Sequence, residues 1–240
     1  MSDRAVHLAA SVLLSYPDER LAGALPLLKA TVAELEPGEP ARRLAAFLDH
    51  VAATPLAELA EHYVATFDLK RRCCPYLTYY TYGDTRRRGM ALLRFKQAYQ
   101  AAGFEVTGEL PDHLGVVCEL SGRGATHVAL RLLREHRAGL ETLLRALHEE
   151  KSPYAGVVAA VLATLPPPTE RERRAALRLA EEGPPAEEVG LEPYGLEPYG
   201  FGPHSPEPHS PEPHGLGPYG GGAPDAVPAP FGGGRQGDPR

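Results

Sequence analysis

Three polar residues near the middle of the chain, Glu109, Asp112 and His113, have side chains that could bind a positively charged partner. They lie in residues 104–114, a stretch without helical or strand periodicity that we call the central connector. Two carboxylates and an imidazole at this spacing predict an acidic, partly polar edge that receives a cationic peptide. A structural interpretation competes with it, because Pro111 suits the first turn of a helix and Asp112 would stabilise that helix start. The residues alone favour the structural interpretation, since short motifs also match by chance.

A second candidate chemistry belongs to two adjacent thiols, Cys73 and Cys74. Lys70, Arg71 and Arg72 precede them, and these positive charges would favour the reactive thiolate form. Adjacent cysteines are poor disulfide partners, however, and buried structural thiols are the commoner outcome. A cysteine-based redox sensor therefore stands as the alternative to a binding function.

No pattern in the sequence predicts catalysis. It contains no glycine-rich phosphate loop, nucleophile elbow or metalloprotease helix, and no Cys or His spacing that suits zinc. We therefore expect a protein that is not an enzyme and has neither a cofactor nor a metal site. His204, His209 and His214 are weak candidates for a transition metal, because a flexible chain lacks a fixed coordination geometry.

Helices must position the central connector, because apolar residues recur at helical spacing on both sides of it. Leu92, Phe95 and Tyr99 mark the buried face of the preceding helix, and Gly103 ends it. After the connector, the apolar stripe over residues 129–147 predicts one helix of about 25 residues. The sequence therefore predicts an all-α fold, a single helical bundle.

Other stretches complete this prediction. Residues 76–82 have β propensity but no second strand to pair with, so we expect them to be helical or irregular. The three arginines at 86–88 are expected to face water. Thr169 and Glu172 match the capping-box pattern, which predicts a further, mostly charged helix.

Composition divides the chain at residue 184. Residues 184–240 hold 14 of the 25 prolines and 13 of the 25 glycines, with proline at every fifth position from 193 to 218. We expect residues 1–183 to form the helical domain and residues 184–240 to be a disordered tail, because the repeats cannot bury enough apolar area to order themselves.

Charge and hydropathy exclude two classes of protein. The net charge of −6 belongs to residues 184–240, and the balanced helical part argues against a nucleic-acid binder. The longest apolar run is about half of the roughly 20 residues that a bilayer-spanning helix needs, so we expect no direct membrane insertion. Three cysteines without a disulfide pattern fit a reducing compartment, and we expect the protein to be cytoplasmic.

The order of several short fragments is similar to that of a known family. The chain resembles the TorD/NarJ-type maturation chaperones of molybdenum redox enzymes, most closely the NarJ branch, which assembles nitrate reductase. The resemblance covers about residues 5 to 165; segment 73–75 and the repeats lie outside the pattern. These fragments carry it: residues 13–19, 63–68, 83–89, 109–113 and 152–155.

The resemblance implies an all-α chaperone without catalytic activity. Its partner would be the N-terminal segment of the apo catalytic alpha subunit, bound until the molybdenum cofactor is inserted and before the subunit docks at the membrane. Glu109, Asp112 and His113 would form the polar part of that peptide-binding site, which also includes Pro111. Tyr63, Phe67 and Asp68 would lie on a neighbouring helix. An aromatic stripe at helical spacing is more often core, which is the competing interpretation of Tyr63 and Phe67.

Overall fold

The computed structural model describes residues 2–183, and these residues form a helical bundle. The all-α prediction is confirmed, since residues 2–183 contain no β-strand and only one isolated bridge. The predicted repeat tail, residues 184–240, lies outside the described residues, so the division at 184 stays a prediction. The α-helices are α1 Ser2–Leu13, α2 Glu19–Ala33, α3 Glu39–Ala53, α4 Leu56–Tyr63, α5 Leu77–Tyr82, α6 Arg86–Ala101, α7 Leu114–Leu120, α8 Thr126–Glu135, α9 Arg137–Glu149, α10 Tyr154–Leu162 and α11 Glu170–Glu182.

Helix α10 is the centre of the bundle. Eight of its nine residues are buried, as expected for a helix that is apolar on every side. It packs against α3, α9 and α1, and α1 in turn packs against α7. The central connector therefore joins α6 to α7, a helix that packs against α1 beside the centre of the bundle.

Side-chain caps fix several helix starts. Asp18 accepts a hydrogen bond from the Arg20 backbone N–H at the start of α2. Thr169 and Glu172 form the predicted capping box at the start of α11, with both reciprocal hydrogen bonds present. These contacts satisfy N–H groups that have no partner within the helix.

Two helix predictions have clear outcomes. Residues 77–82 are helical, which was one of the two alternatives left open, and they form the whole of α5, with Tyr76 in extended conformation before it. The single helix over 129–147 is wrong, because the chain breaks at His136 into α8 and α9. His136 has φ −107° and ψ 18°, and its ring lies 5.2 Å from that of Phe95. A break at one residue leaves the three-and-four apolar spacing unchanged, so periodicity cannot detect it.

Candidate functional site

A short antiparallel bridge holds the end of the central connector against the segment before α5. The Leu77 N–H donates to the carbonyl of Asp112 over 2.9 Å, and the Leu114 N–H donates to the carbonyl of Pro75 over 2.9 Å. The bridge pairs Tyr76 with His113. The connector is therefore fixed at its C-terminal end by backbone hydrogen bonds, and its exposed part is held in one place.

Asp112 stabilises a helix start, but the helix is α5 and not α7. Its Oδ2 accepts hydrogen bonds from the backbone N–H of Thr78, at 3.2 Å, and from the Thr78 hydroxyl. Thr78 lies in the first turn of α5, which has no side-chain cap of its own. A carboxylate from another part of the chain thus supplies the missing N-terminal cap.

The expected acidic edge of Glu109, Asp112 and His113 is wrong for two of its three members. Asp112 is 0% exposed and His113 is 4% exposed. The sequence could not show this burial, because it depends on Thr78 and on Arg88 of α6. The Nη2 atom of Arg88 lies 3.6 Å from the Oδ2 atom of Asp112 and forms an ion pair with it.

Arg88 does not face water as expected. Its Nε donates to the Thr78 hydroxyl at 3.2 Å, and its guanidinium lies 5.5 Å from the centre of the Tyr76 ring. Its side chain is only 18% exposed. The other two arginines of this run, Arg86 and Arg87, are exposed as expected. Sequence reasoning missed Arg88, although its spacing of four from Asp84, with which it forms an ion pair, is a signal that could have found it.

His113 caps α7 and has a defined tautomer. Its Nδ1 accepts from the Gly115 backbone N–H at 3.1 Å, so the neutral ring carries its proton on Nε2. Burial lowers the pKa of His113 below its usual value, while the charges of Glu109 and Asp112 oppose that shift. The ring is therefore neutral near pH 7.

The cluster around Asp112 contains unsatisfied polar atoms. Within residues 2–183, the buried side-chain atoms that lack a hydrogen-bond partner are Nη2 of Arg88, Oδ1 of Asp112 and Nε2 of His113. Each such atom costs about 1–3 kcal/mol. Buried polar atoms in proteins usually have a hydrogen-bond partner, and exceptions are expected at functional sites. The unsatisfied atoms therefore mark the connector as the candidate site.

Glu109 is the exposed acidic residue of the motif. Its Oε1 accepts from the Tyr76 hydroxyl at 3.0 Å and from the Leu110 backbone N–H at 2.8 Å. Burial raises the pKa of Tyr76, and the neighbouring Glu109 carboxylate raises it further, so the phenol stays protonated and keeps donating. Leu110, at 42% exposure, places an apolar side chain directly beside this carboxylate.

Pro111 joins the exposed and the buried part of the connector. Its side chain is half-buried, and its carbonyl accepts from the Tyr99 hydroxyl of α6 at 2.9 Å. Tyr76 and Tyr99 thus hold the connector from two different elements. Sequence reasoning assigned no role to Tyr76 in this site, and no local signal identifies it.

Tyr63 and Phe67 belong to the core. They are 7% and 6% exposed, and both rings contact Tyr154 of α10. Asp68 is exposed. Burial is the main cause that raises the pKa of Tyr63, and the charges of Asp68 and Glu109 raise it further. The structure therefore brings the two exposed carboxylates, Asp68 and Glu109, within electrostatic reach of one buried phenol.

The two adjacent cysteines lack the properties of reactive thiols. Burial raises the pKa of Cys73, and it raises that of Cys74 to about 11. The basic side chains that were expected to favour the thiolate form ion pairs with nearby carboxylates. These pairs are Lys70 with Glu150, Arg71 with Asp84, and Arg72 with Glu149 and Glu150. A thiol with a raised pKa is a poor nucleophile near pH 7, so the redox-sensor alternative has no support here.

Among residues 2–183, no group of three or more His, Cys, Asp or Glu side chains is placed to hold a metal ion. None of the helices in this part of the chain is long and apolar enough to span a bilayer.

Comparison with known proteins gives consistent results. The family described as nitrate reductase delta subunit matches residues 34–160. A probable nitrate reductase molybdenum cofactor assembly chaperone NarJ from Bacillus subtilis is 34% identical over 166 residues, which is 68% of this chain and 90% of that protein. The nitrate reductase-like protein NarX of Mycobacterium tuberculosis is 39% identical over 156 residues, 65% of this chain but only 23% of NarX.

A more distant relative and a solved structure extend the comparison. The Escherichia coli nitrate reductase molybdenum cofactor assembly chaperone NarJ is 28% identical over 60% of this chain and 63% of its own length. The crystal structure of a protein described as a putative redox enzyme maturation protein, from Archaeoglobus fulgidus, superimposes with a TM-score of 0.50 at 24% identity, over 67% of this chain and 92% of that one. That structure supports the helical fold. From the family match and the B. subtilis relative together, the chain belongs to the nitrate reductase delta subunit family, the family of the NarJ-type chaperones.

Proposed function

We propose that this chain is a system-specific chaperone that supports molybdenum cofactor insertion into nitrate reductase. Its partner is the N-terminal segment of the apo catalytic alpha subunit, which it holds in the cytoplasm until the enzyme is ready to dock at the membrane. The names of the NarJ relatives support the assembly role, and the geometry of the central connector supports a role in binding.

The observation that carries the proposal is the fixed, exposed carboxylate of Glu109. Two hydrogen bonds, from Tyr76 and from the Leu110 backbone, orient it before any partner arrives. A preoriented group loses little freedom on binding, so more of its interaction energy remains for affinity. The exposed Leu110 beside it provides apolar contact. A basic amphipathic segment complements both features, because its Lys or Arg would face Glu109 and its apolar side chains would face Leu110.

The other predicted site residues divide by exposure. Asp68 is exposed and provides a second carboxylate near Tyr63. Pro111, Asp112 and His113 position the connector and do not offer a charged surface. Tyr63 and Phe67 support the site from the core, and Phe67 lies next to Asp68 in the short π-helix Val64–Asp68 that follows α4. None of these roles requires a bond to be made or broken, and we propose binding without catalytic turnover.

Isothermal titration calorimetry with a synthetic N-terminal peptide of a nitrate reductase catalytic subunit tests this function. We expect the full chain to bind it, and Glu109→Lys to weaken binding roughly tenfold at low salt because a like charge then faces the peptide. Raising the salt concentration should reduce this difference, since exposed charges are screened.

Glu36→Lys is the matched control, because Glu36 is also exposed but lies in the turn between α2 and α3. It makes the same change in net charge. Equal weakening by both substitutions would mean that only overall charge matters, and absence of binding to the unsubstituted chain would refute the proposed partner.

A further inference from the structure

Two clefts adjoin at the start of the central connector. The first, of about 510 Å³, lies between the end of α6 and the connector and includes Glu105 and Glu109. The second, of about 700 Å³, lies between the end of α6 and the start of α8. Gly103 and Phe104 line both clefts, so the two spaces share one wall.

The two clefts differ in charge. In the first, Glu105 and Glu109 outnumber the one basic lining residue, Lys96. In the second, the charged or titratable lining residues are Arg123, His127 and Arg131, and no acidic residue lines it. The rest of the second cleft is lined by small residues, mostly alanine and glycine, together with Phe104 and Leu120.

Phe104 forms the boundary between the clefts and is held from both sides. Its ring lies 5.6 Å from the ring of Tyr99, and the guanidinium of Arg123 lies 4.9 Å from its centre. Tyr99 belongs to the acidic cleft and Arg123 to the basic one. A ligand that contacts Phe104 therefore lies beside both the acidic residues of the first cleft and the basic residues of the second.

The basic residues of the second cleft are available to a partner. Arg123 pairs with Glu119 at 3.1 Å and Arg131 with Glu135 at 4.0 Å, but all four side chains are between 39% and 62% exposed. Exposed pairs of this kind contribute little to stability and are screened by salt. A carboxylate of a partner can replace Glu135 at Arg131 without loss of a buried contact.

We propose that the two clefts together bind one continuous partner segment that carries basic residues at one end and acidic residues at the other. This inference rests on the proposed function and deepens it, because it names the charge pattern of the bound segment. The basic end lies at Glu105 and Glu109, and the acidic end passes Phe104 to reach Arg123 and Arg131. Opposite charges at the two ends fix the direction in which the segment binds, as charge complementarity does at other interfaces.

Calorimetry with designed peptides and the full chain tests this inference. One amphipathic peptide carries lysines near one end and aspartates near the other, and its partner peptide has asparagine in place of each aspartate. We expect the aspartate peptide to bind about three- to tenfold more tightly to the unsubstituted chain. Arg131→Glu should abolish this preference, and Arg131→Gln should halve it or more.

The matched control is Arg134→Glu, because Arg134 is exposed on the same helix and lines neither cleft. It should preserve the preference. A preference that survives Arg131→Glu, or equal loss in the control, would overturn the inference while leaving the function intact, provided that the nitrate reductase peptide still binds in a Glu109-dependent way. If that peptide does not bind either, the function and the inference fail together. Self-association of the chain that Arg131→Glu weakens would assign the clefts to a second copy instead.

Discussion

Glu109 and Asp112 are three residues apart in one connector, yet the first carboxylate faces solvent and the second has no exposed surface. Asp112 has an N–H and a hydroxyl of Thr78 and the guanidinium of Arg88 around it. Glu109 has a tyrosine hydroxyl and one backbone N–H. A carboxylate leaves water only where polar groups replace water at its oxygens. Oδ2 of Asp112 has such partners although Oδ1 has none, whereas Glu109 stays in contact with solvent.

The comparison shows that a short acidic motif can have two functions in one fold. The buried half, Asp112 and His113, fixes the connector to α5 and α7. The exposed half, Glu109 and Leu110, keeps a charge and an apolar side chain at the surface. The structural interpretation and the binding interpretation of the motif therefore apply to different residues.

The largest expected effect would follow from removing the buried carboxylate. We expect Asp112→Ala to lower the free energy of unfolding by about 3 kcal/mol, because Arg88 and the Thr78 N–H would lose their buried partner. Urea denaturation followed by circular dichroism measures this change. Glu109→Ala is the control and should change stability by no more than about 0.5 kcal/mol. Similar losses in the two variants would remove the distinction between the two halves.

A second prediction extends the comparison to a buried polar residue outside the connector. His7 of α1 is 0% exposed, and its ring nitrogens lie 2.7 Å from the Ser121 hydroxyl and 2.8 Å from that of Thr164. Burial lowers the pKa of His7 from 6.5 to about 4, against a smaller opposing effect of Asp3. At a pH between about 4 and 6.5, His7 therefore binds a proton in the unfolded chain but not in the folded chain.

Stability should therefore fall as the pH is lowered from about 6.5 towards 4, by up to about 1.4 kcal/mol per pH unit for this residue. Urea denaturation at several pH values measures the slope, and His7→Gln should reduce it. His136 is a second contributor in the same direction, since burial also lowers its pKa to about 4, so part of the slope should remain. An unchanged slope in the variant would mean that His7 does not titrate in this way.

The smallest expected effect concerns the division between the helical domain and the repeats. Deletion of residues 184–240 should change the melting temperature by no more than about 1 °C, because Pro- and Gly-rich repeats of this composition are not expected to pack against a core. Differential scanning calorimetry of the full and shortened chains measures the difference. A fall of several degrees would show that the domain extends past Gly183.

Much of the fold could be predicted because its signals are local. Apolar spacing located the helices, and the Thr169 and Glu172 pattern located a capping box that the structure contains. The core interpretation of Tyr63 and Phe67 could also be reached from the stripe alone. The break at His136 could not, because α8 and α9 keep the same apolar spacing across it.

The site was less predictable, since its residues come from separate parts of the chain. The motif drew attention to the connector, and Glu109 is exposed as expected. Its supporting residues, Tyr76 and Arg88, come from the segment before α5 and from α6. Tyr76 carries no motif for this role, and the spacing of Arg88 from Asp84 indicates their ion pair but not the contact of Arg88 with Asp112. The raised thiol pKa values of Cys73 and Cys74 likewise depend on burial that adjacent basic residues do not reveal.

The sequence by itself determined that the chain folds into helices and that residues 104–114 connect two of them, because helix periodicity and caps act within a few residues. Only the tertiary structure decided which carboxylate of the connector remains available to a partner. Asp112 is buried because Thr78, 34 residues away, and Arg88 are brought to it by folding. Whether a charge can leave water depends on the partners it meets in space, and those partners are not neighbours in the sequence.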